Sequence, residues 1–522
     1  MRKVLLYICS VFILGGMTSC EDFLDKREDV GLTEDDIFRD YYSLRGFLDQ
    51  SFNQLENVMV MDNWENGRAF VGLFADEMAT TDNSSAVFTL HSGNWLSNAK
   101  SNTTFEIGNG GSTAISRSYK ALRINNRIIN DIDKAPLTPE QKNEILGQAY
   151  FYRSWFYFQI IKRYGGMPII DKVFEGGDDD IPRVTYHESH DWMMEDIQKA
   201  IYMLPDSWDD PNYGRPTKIA AMALKEWAQL FDASPLMQND LNSTENKGYD
   251  TERAKSAAKS AYEVIRYMDG SKSAPYPYGL ASKEEYTNVF YFKYPPVHQP
   301  EYIWVKRQFP NAANQNQKRT IRTFWQYEDL AFGSGPDGNS MCCPSLNIVN
   351  MFDKKGADGI YYPIDDPRSG YALDYAHKPF EDRDPRFYNN ILLPGTTWGH
   401  YADGRTYYIT TYKGGAAYQH MLTQKDCNKR MFTGFMCKKF MWPECNQYLE
   451  KNNPNCWWDY RFLTIYIRAS QIYLDYAEAL FEGCGSATAT IEGCPISAAE
   501  AINILRRRIG LTDLPSDIVA DP

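Results

Sequence analysis

Three groups of aromatic side chains in polar company carry the chemistry this sequence offers. Trp95 lies in Ser92-Gly-Asn-Trp-Leu96 with Asn94 and Asn98 beside it, Trp325 and Tyr327 follow the polar stretch from Asn311 to Arg322, and Tyr291 is a third position. An aromatic ring presents a flat apolar face and an amide reaches a hydroxyl, which is what a sugar ring with apolar C–H faces and a polar edge needs. Core packing is the competing assignment. It weighs most on Tyr291 and Tyr327 and least on the tryptophans, whose flanks are polar.

Catalytic patterns are weaker. His187-Glu-Ser-His190 puts two imidazoles one turn apart at a helix start but lacks the HExxH spacing of a metalloprotease, so solvated capping residues are expected there. Asp178-Asp-Asp180 has neither EF-hand spacing nor a following bidentate Glu, and a solvated turn is expected. Gly108-Asn-Gly-Gly111 matches no nucleotide-binding fingerprint. No G-x-S-x-G elbow occurs. Paired carboxylates for glycoside hydrolysis stay open, because their separation exists only in three dimensions. The reading is a binder rather than an enzyme, with no metal and no cofactor.

The N-terminus bears on the compartment. Basic Arg2 and Lys3, an apolar run from Val4 to Met17 and then Thr18-Ser-Cys20 read as a signal peptide over residues 1–19, since a bilayer span needs roughly 20 apolar residues. Cys20 after small residues resembles a bacterial lipobox, in which the cysteine becomes the acylated mature terminus. Each buried methylene adds about 0.8 kcal/mol, so two or more chains anchor stably. Of the 10 cysteines, those that remain after Cys9 and Cys20 all lie in the second half. They suit disulfides or buried free thiols outside the cytoplasm, and Cys484 with Cys494 would close a short loop.

The 522 residues, 43% hydrophobic and 24% charged, are enough for a large core. A net charge of -13 with scattered Lys and Arg argues against nucleic acid.

Helices must position these groups. Thr138-Pro-Glu-Gln141 predicts a capping box with proline at the first helical position, and Leu146, Ala149, Arg153, Phe156, Ile160 and Tyr164 then form one face up to Gly165-Gly166 and Pro168. An antiparallel partner is expected over Tyr119 to Ile132. Thr185 and Glu188 start a second pair, whose other member follows Arg215-Pro-Thr217 with alanines where helices approach closely. Further helices are expected over about 251–268, 467–481 and 497–509. Between about 271 and 460 the texture turns to Pro, Gly, Tyr, Asn and Trp, with short strands at Tyr302–Val305 and Tyr407–Thr410. The fold class is mainly α: irregular tetratricopeptide-like helix pairs over about 33–270 and 460–510, plus a loop-rich region carrying short strands, all within one domain over 20–522.

Taken in order, these pieces resemble the SusD/RagB family of outer-membrane lipoproteins. The matching residues are Cys20-Glu-Asp-Phe-Leu-Asp25, the helix with Asn125 and Asn126, Ala149 to Arg153 running to Tyr164-Gly-Gly-Met-Pro168, Gly214 to Lys218, Asp384-Pro-Arg386, Ile472 to Ala479, and Ala501 to Gly510. The resemblance implies a surface-exposed protein, lipid-anchored in the outer membrane, that caps a TonB-dependent transporter (SusC-like) and passes it captured oligosaccharide, or in some members peptide. It implies a stacking tryptophan at the place of Trp95. It also implies a further acidic and arginine-rich helical segment, so the chain is expected to be short at its C-terminus. A surface glycoside hydrolase or an adhesin is the alternative.

Overall fold

The Thr138 hydroxyl accepts from Gln141 N while the Gln141 Oε1 accepts from Thr138 N, and from this capping box runs the central helix, Pro139–Tyr164. The computed structural model describes residues 33–55, 75–79, 114–174, 180–238, 247–290, 298–307, 343–371, 378–400, 406–415, 433–439 and 463–520. Its main helices are α1 (Tyr41–Gln54), α2 (Ala114–Asp131), α3 (Pro139–Tyr164), α4 (Tyr186–Met203), α5 (Lys218–Ala233), α6 (Thr251–Gly270), α7 (Ala469–Cys484) and α8 (Ala498–Arg508). Consecutive members pack in sequence, and α6 joins α7 across the loop-rich region. The fold is mainly helical, as the periodicity predicts.

Helix α3 departs from the expected single apolar face. Residues from Ile145 to Ile161 are buried nearly all round, as befits a helix enclosed by neighbours on every side. Arg153 can sit inside it because its charge is met: Nε and Nη2 reach the Asp196 carboxylate of α4 at 2.5 and 2.8 Å, and Nη1 reaches Asn126 Oδ1 of α2 at 2.9 Å. Three helices meet at that guanidinium.

Alanines 220, 221, 223 and 228 of α5 and 254, 257, 258 and 261 of α6 are fully buried, which lets the two backbones approach. Between α6 and α7 a glycine serves the same purpose. A Cβ on Gly483 would lie 2.9 Å from Lys255 Cγ.

The loop-rich part is fastened by one antiparallel strand pair, β1 (Tyr302–Arg307) with β2 (Leu463–Arg468), whose register slips between Ile465 and Ile467. Trp304 of β1 is buried against Phe151, Trp155 and Tyr466, with ring centroids 4.8, 4.7 and 4.6 Å away. One open choice is decided and one expectation changes. Cys484 and Cys494 are free thiols, as are Cys343 and Cys437. His187 and His190 are not solvated caps: both turn to the buried Asp232 of α5, His187 Nδ1 at 2.6 Å and His190 Nδ1 at 3.5 Å, and Arg253 of α6 completes the cluster.

Candidate functional site

The expected binding residues Trp95, Asn94, Asn98, Trp325, Tyr327 and Tyr291, and the lipidation residue Cys20, lie outside the described residues, as do Asp178 and Gly108 to Gly111. Met78–Ala79 pairs antiparallel with Cys343–Pro344, Ala79 opposite Cys343. Two stretches far apart in sequence are therefore tied at one backbone pair.

Strand β1 adds a second tie. The Lys306 ammonium donates to the Leu55 carbonyl at 2.8 Å, and burial pushes its pKa down to about 8. At the start of the strand Glu301, fully buried, accepts from Arg508 Nη1 at 2.7 Å and from the Ala281 N–H at 3.0 Å, with Arg468 Nη1 3.3 Å away. One carboxylate thus joins α8, the β sheet and the loop after α6.

A cleft of ≈ 50 Å³ opens where the 205–217 connection meets residues 276–278 and 298–305. Pro205 ends α4 and Thr217 caps α5, so the chain between them must turn, and Gly214 does so at φ +99°. Its carbonyl accepts from the Trp304 indole at 3.2 Å, and the Trp208 indole donates to Pro216 O at 2.8 Å. Arg215 clamps the turn through both Asp49 oxygens, at 2.7 and 2.9 Å.

On the cleft's rim the Tyr276 and His298 rings stack at 3.7 Å with planes 20° apart, and Tyr213 meets His298 edge-on at 4.7 Å. Asp210 Oδ1 lies 3.0 Å from His298 Nε2 and accepts from the Tyr276 hydroxyl at 3.4 Å. Gln299 lines the same cleft, its Oε1 buried without a hydrogen-bond partner. Sequence reasoning passed over these residues. The signal was present in Ala274-Pro-Tyr-Pro-Tyr278, where prolines hold two aromatics in an exposed turn.

Glu226 of α5 and Asp475 of α7 form the acid pair that hydrolysis chemistry calls to mind. Glu226 is 1% exposed within packed helices, so no substrate reaches it. Among the described residues no group of three or more His, Cys, Asp or Glu side chains is placed to hold a metal ion.

Helix pairs stacked in sequence, with loops and small sheets fastened to them and an aromatic rim, define a helical-repeat scaffold protein whose surface chemistry sits on its connections. Residues 22–226 match the SusD-like family described as starch-binding and associating with the outer membrane, and residues 300–520 match the SusD family. The chain belongs to the SusD/RagB family. Its fold is similar to that of a SusD-like protein from Bacteroides fragilis NCTC 9343, at 22% identity over 92% of this chain and 81% of that one, with a TM-score of 0.64. A SusD-like carbohydrate binding protein from the same organism gives 18% identity, coverage of 92% and 80%, and a TM-score of 0.63. A structure solved with xylogluco-oligosaccharide gives 15%, 90% and 78%, and 0.56. No curated protein matches.

Proposed function

We propose that this chain is a surface lipoprotein that captures an oligosaccharide and delivers it to a TonB-dependent transporter in the outer membrane. The observation that carries the reading is the family match over residues 22–226, a family described by starch binding at the outer membrane. The neighbour solved with xylogluco-oligosaccharide supports a glycan over a peptide ligand. Trp95 with Asn94 and Asn98, Trp325 with Tyr327, and Tyr291 supply the stacking faces and amides, and Cys20 carries the lipid. Binding without turnover is the expected chemistry.

Calorimetry against soluble glycans and peptides, with product analysis on the same samples, tests it. Saturable glycan binding with no released sugar supports capture, and released sugar supports the hydrolase instead. Binding confined to peptides moves the chain to the peptide-capturing branch. Trp95→Ala is expected to weaken glycan affinity in a folded protein, and unchanged affinity removes Trp95 from the site. Co-purification of a transporter with the full-length chain tests delivery, and a Cys20→Ala variant that still fractionates with membranes overturns the anchor.

A further inference from the structure

We propose that Tyr276 is a sugar-stacking platform additional to Trp95 and Trp325, taking one neutral pyranose unit of a bound oligosaccharide with Asp209, Asp210 and Gln299 as acceptors for its hydroxyls. The inference rests on the glycan-capture reading and extends it to residues that reading does not use. Three observations carry it.

The ring is held in place before any ligand arrives. His298 covers one face of Tyr276 at 3.7 Å, and His298 is itself fixed by Asp210 at 3.0 Å and by the Tyr213 edge at 4.7 Å. With one face covered, the accessible surface of the partly exposed Tyr276 belongs to its other face and its edge. A ring that loses no freedom on binding spends less of its stacking energy on ordering.

Acceptors surround it. Asp209 and Asp210 are exposed at the rim, and the Tyr276 hydroxyl bond to Asp210, at 3.4 Å, is long enough to yield to a better donor. The Gln299 Oε1 atom is a buried acceptor with no partner, and an unmet acceptor favours a ligand that brings a hydroxyl. Pyranose hydroxyls are donors on every edge of the ring.

The size of the cleft sets how the ligand sits. At ≈ 50 Å³ it exceeds the roughly 10–15 Å³ that one water needs and admits a small polar group such as a hydroxymethyl. The sugar ring lies outside, on Tyr276, with one substituent inserted. A cationic side chain is the other ligand that aromatic and acidic groups attract. The cleft itself is lined by Arg215 and by no carboxylate, which favours the neutral ligand.

The test compares the wild-type chain with Tyr276→Ala, Tyr276→Phe and Trp95→Ala, titrated with xylogluco-oligosaccharides and malto-oligosaccharides. Tyr276→Ala is expected to bind roughly three- to tenfold more weakly, the range an aromatic contact of about 0.5–1.5 kcal/mol supplies. Tyr276→Phe, which keeps the ring, is expected to stay near wild type. The His298 ring resonances are expected to shift on adding sugar to the wild type and to Trp95→Ala. Wild-type binding with unchanged affinity in a folded Tyr276→Ala and silent His298 resonances overturns the platform and leaves glycan capture standing. Should Tyr276→Ala fail to fold, the His298 shift in wild type decides alone. A wild type that binds no sugar overturns both, and binding of a lysine-rich peptide in place of sugar assigns the rim to a cation.

Discussion

Arg153 and Asp196 make a two-point ion pair between α3 and α4 with both side chains almost wholly buried, at 6% and 3% exposure. Its geometry meets the condition for a buried pair to hold, since Asn126 satisfies a further guanidinium nitrogen and the Trp192 ring lies 5.2 Å from the guanidinium carbon. Removing one partner strands the other charge. Arg153→Ala is expected to cost about 3–5 kcal/mol in chemical denaturation, and a loss under about 1 kcal/mol is the result that contradicts this account.

Glu226 and Asp475 give the stability a pH dependence. Burial first raises both acids: Glu226 goes well above its ordinary range, with the Asp475 charge adding to the rise, and Asp475 goes to about 7, with the Glu478 charge adding while hydrogen bonds from Gln471 and Glu226 pull it back. Two acceptor-only groups in reach of each other need a proton between them. A carboxyl whose pKa is raised by folding contributes its full stability below the unfolded value of about 4, and that contribution is lost as pH rises toward the folded value. The melting temperature is therefore expected to fall between about pH 5 and about pH 8, and Glu226→Gln to flatten the fall. Parallel profiles for the two proteins rule out the shared proton.

Glu301→Ala leaves Arg508 and Arg468 without their buried carboxylate. A loss of about 3 kcal/mol or more is expected. Hydrogen exchange should quicken first in α8 and β1, the elements the carboxylate joins. Uniform quickening across all helices contradicts that assignment.

Gly166 follows α3 where the chain passes under Val184 and Thr185. A Cβ there would lie 2.0 Å from the Val184 carbonyl oxygen, a backbone atom that cannot swing away. Gly166→Ala is expected to destabilise by ~1–3 kcal/mol, while Gly46→Ala, where nothing lies within 4 Å, should not. Thermal melts of the two variants check the contrast.

Thr138→Ala removes the oxygen that caps α3. The expected loss is about 1 kcal/mol. A Thr138→Ser variant, which keeps the hydroxyl, should restore most of it in the same melts.

Local chemistry was legible in the residues themselves. The capping boxes at Thr138 and Thr185 and the strand starting at Tyr302 all stand where neighbouring residues dictate, because caps and periodicity are decided within a few positions of chain. The alanines of α5 also announced a close helix approach. Those same rules do not reach across the fold. His187 and His190 read as solvent-facing until α5 brings Asp232 beneath them, and Arg153 reads as part of an apolar stripe until α4 supplies Asp196 from 43 positions away. Glu301 meets Arg508 across 207 positions, and Tyr276 becomes a fixed platform only because His298 folds onto it. Residue types set which partners a charge or ring can accept. Which one it receives is settled by packing, because a buried charge or ring is stabilised by whatever group the whole chain delivers to it and not by its neighbours in sequence.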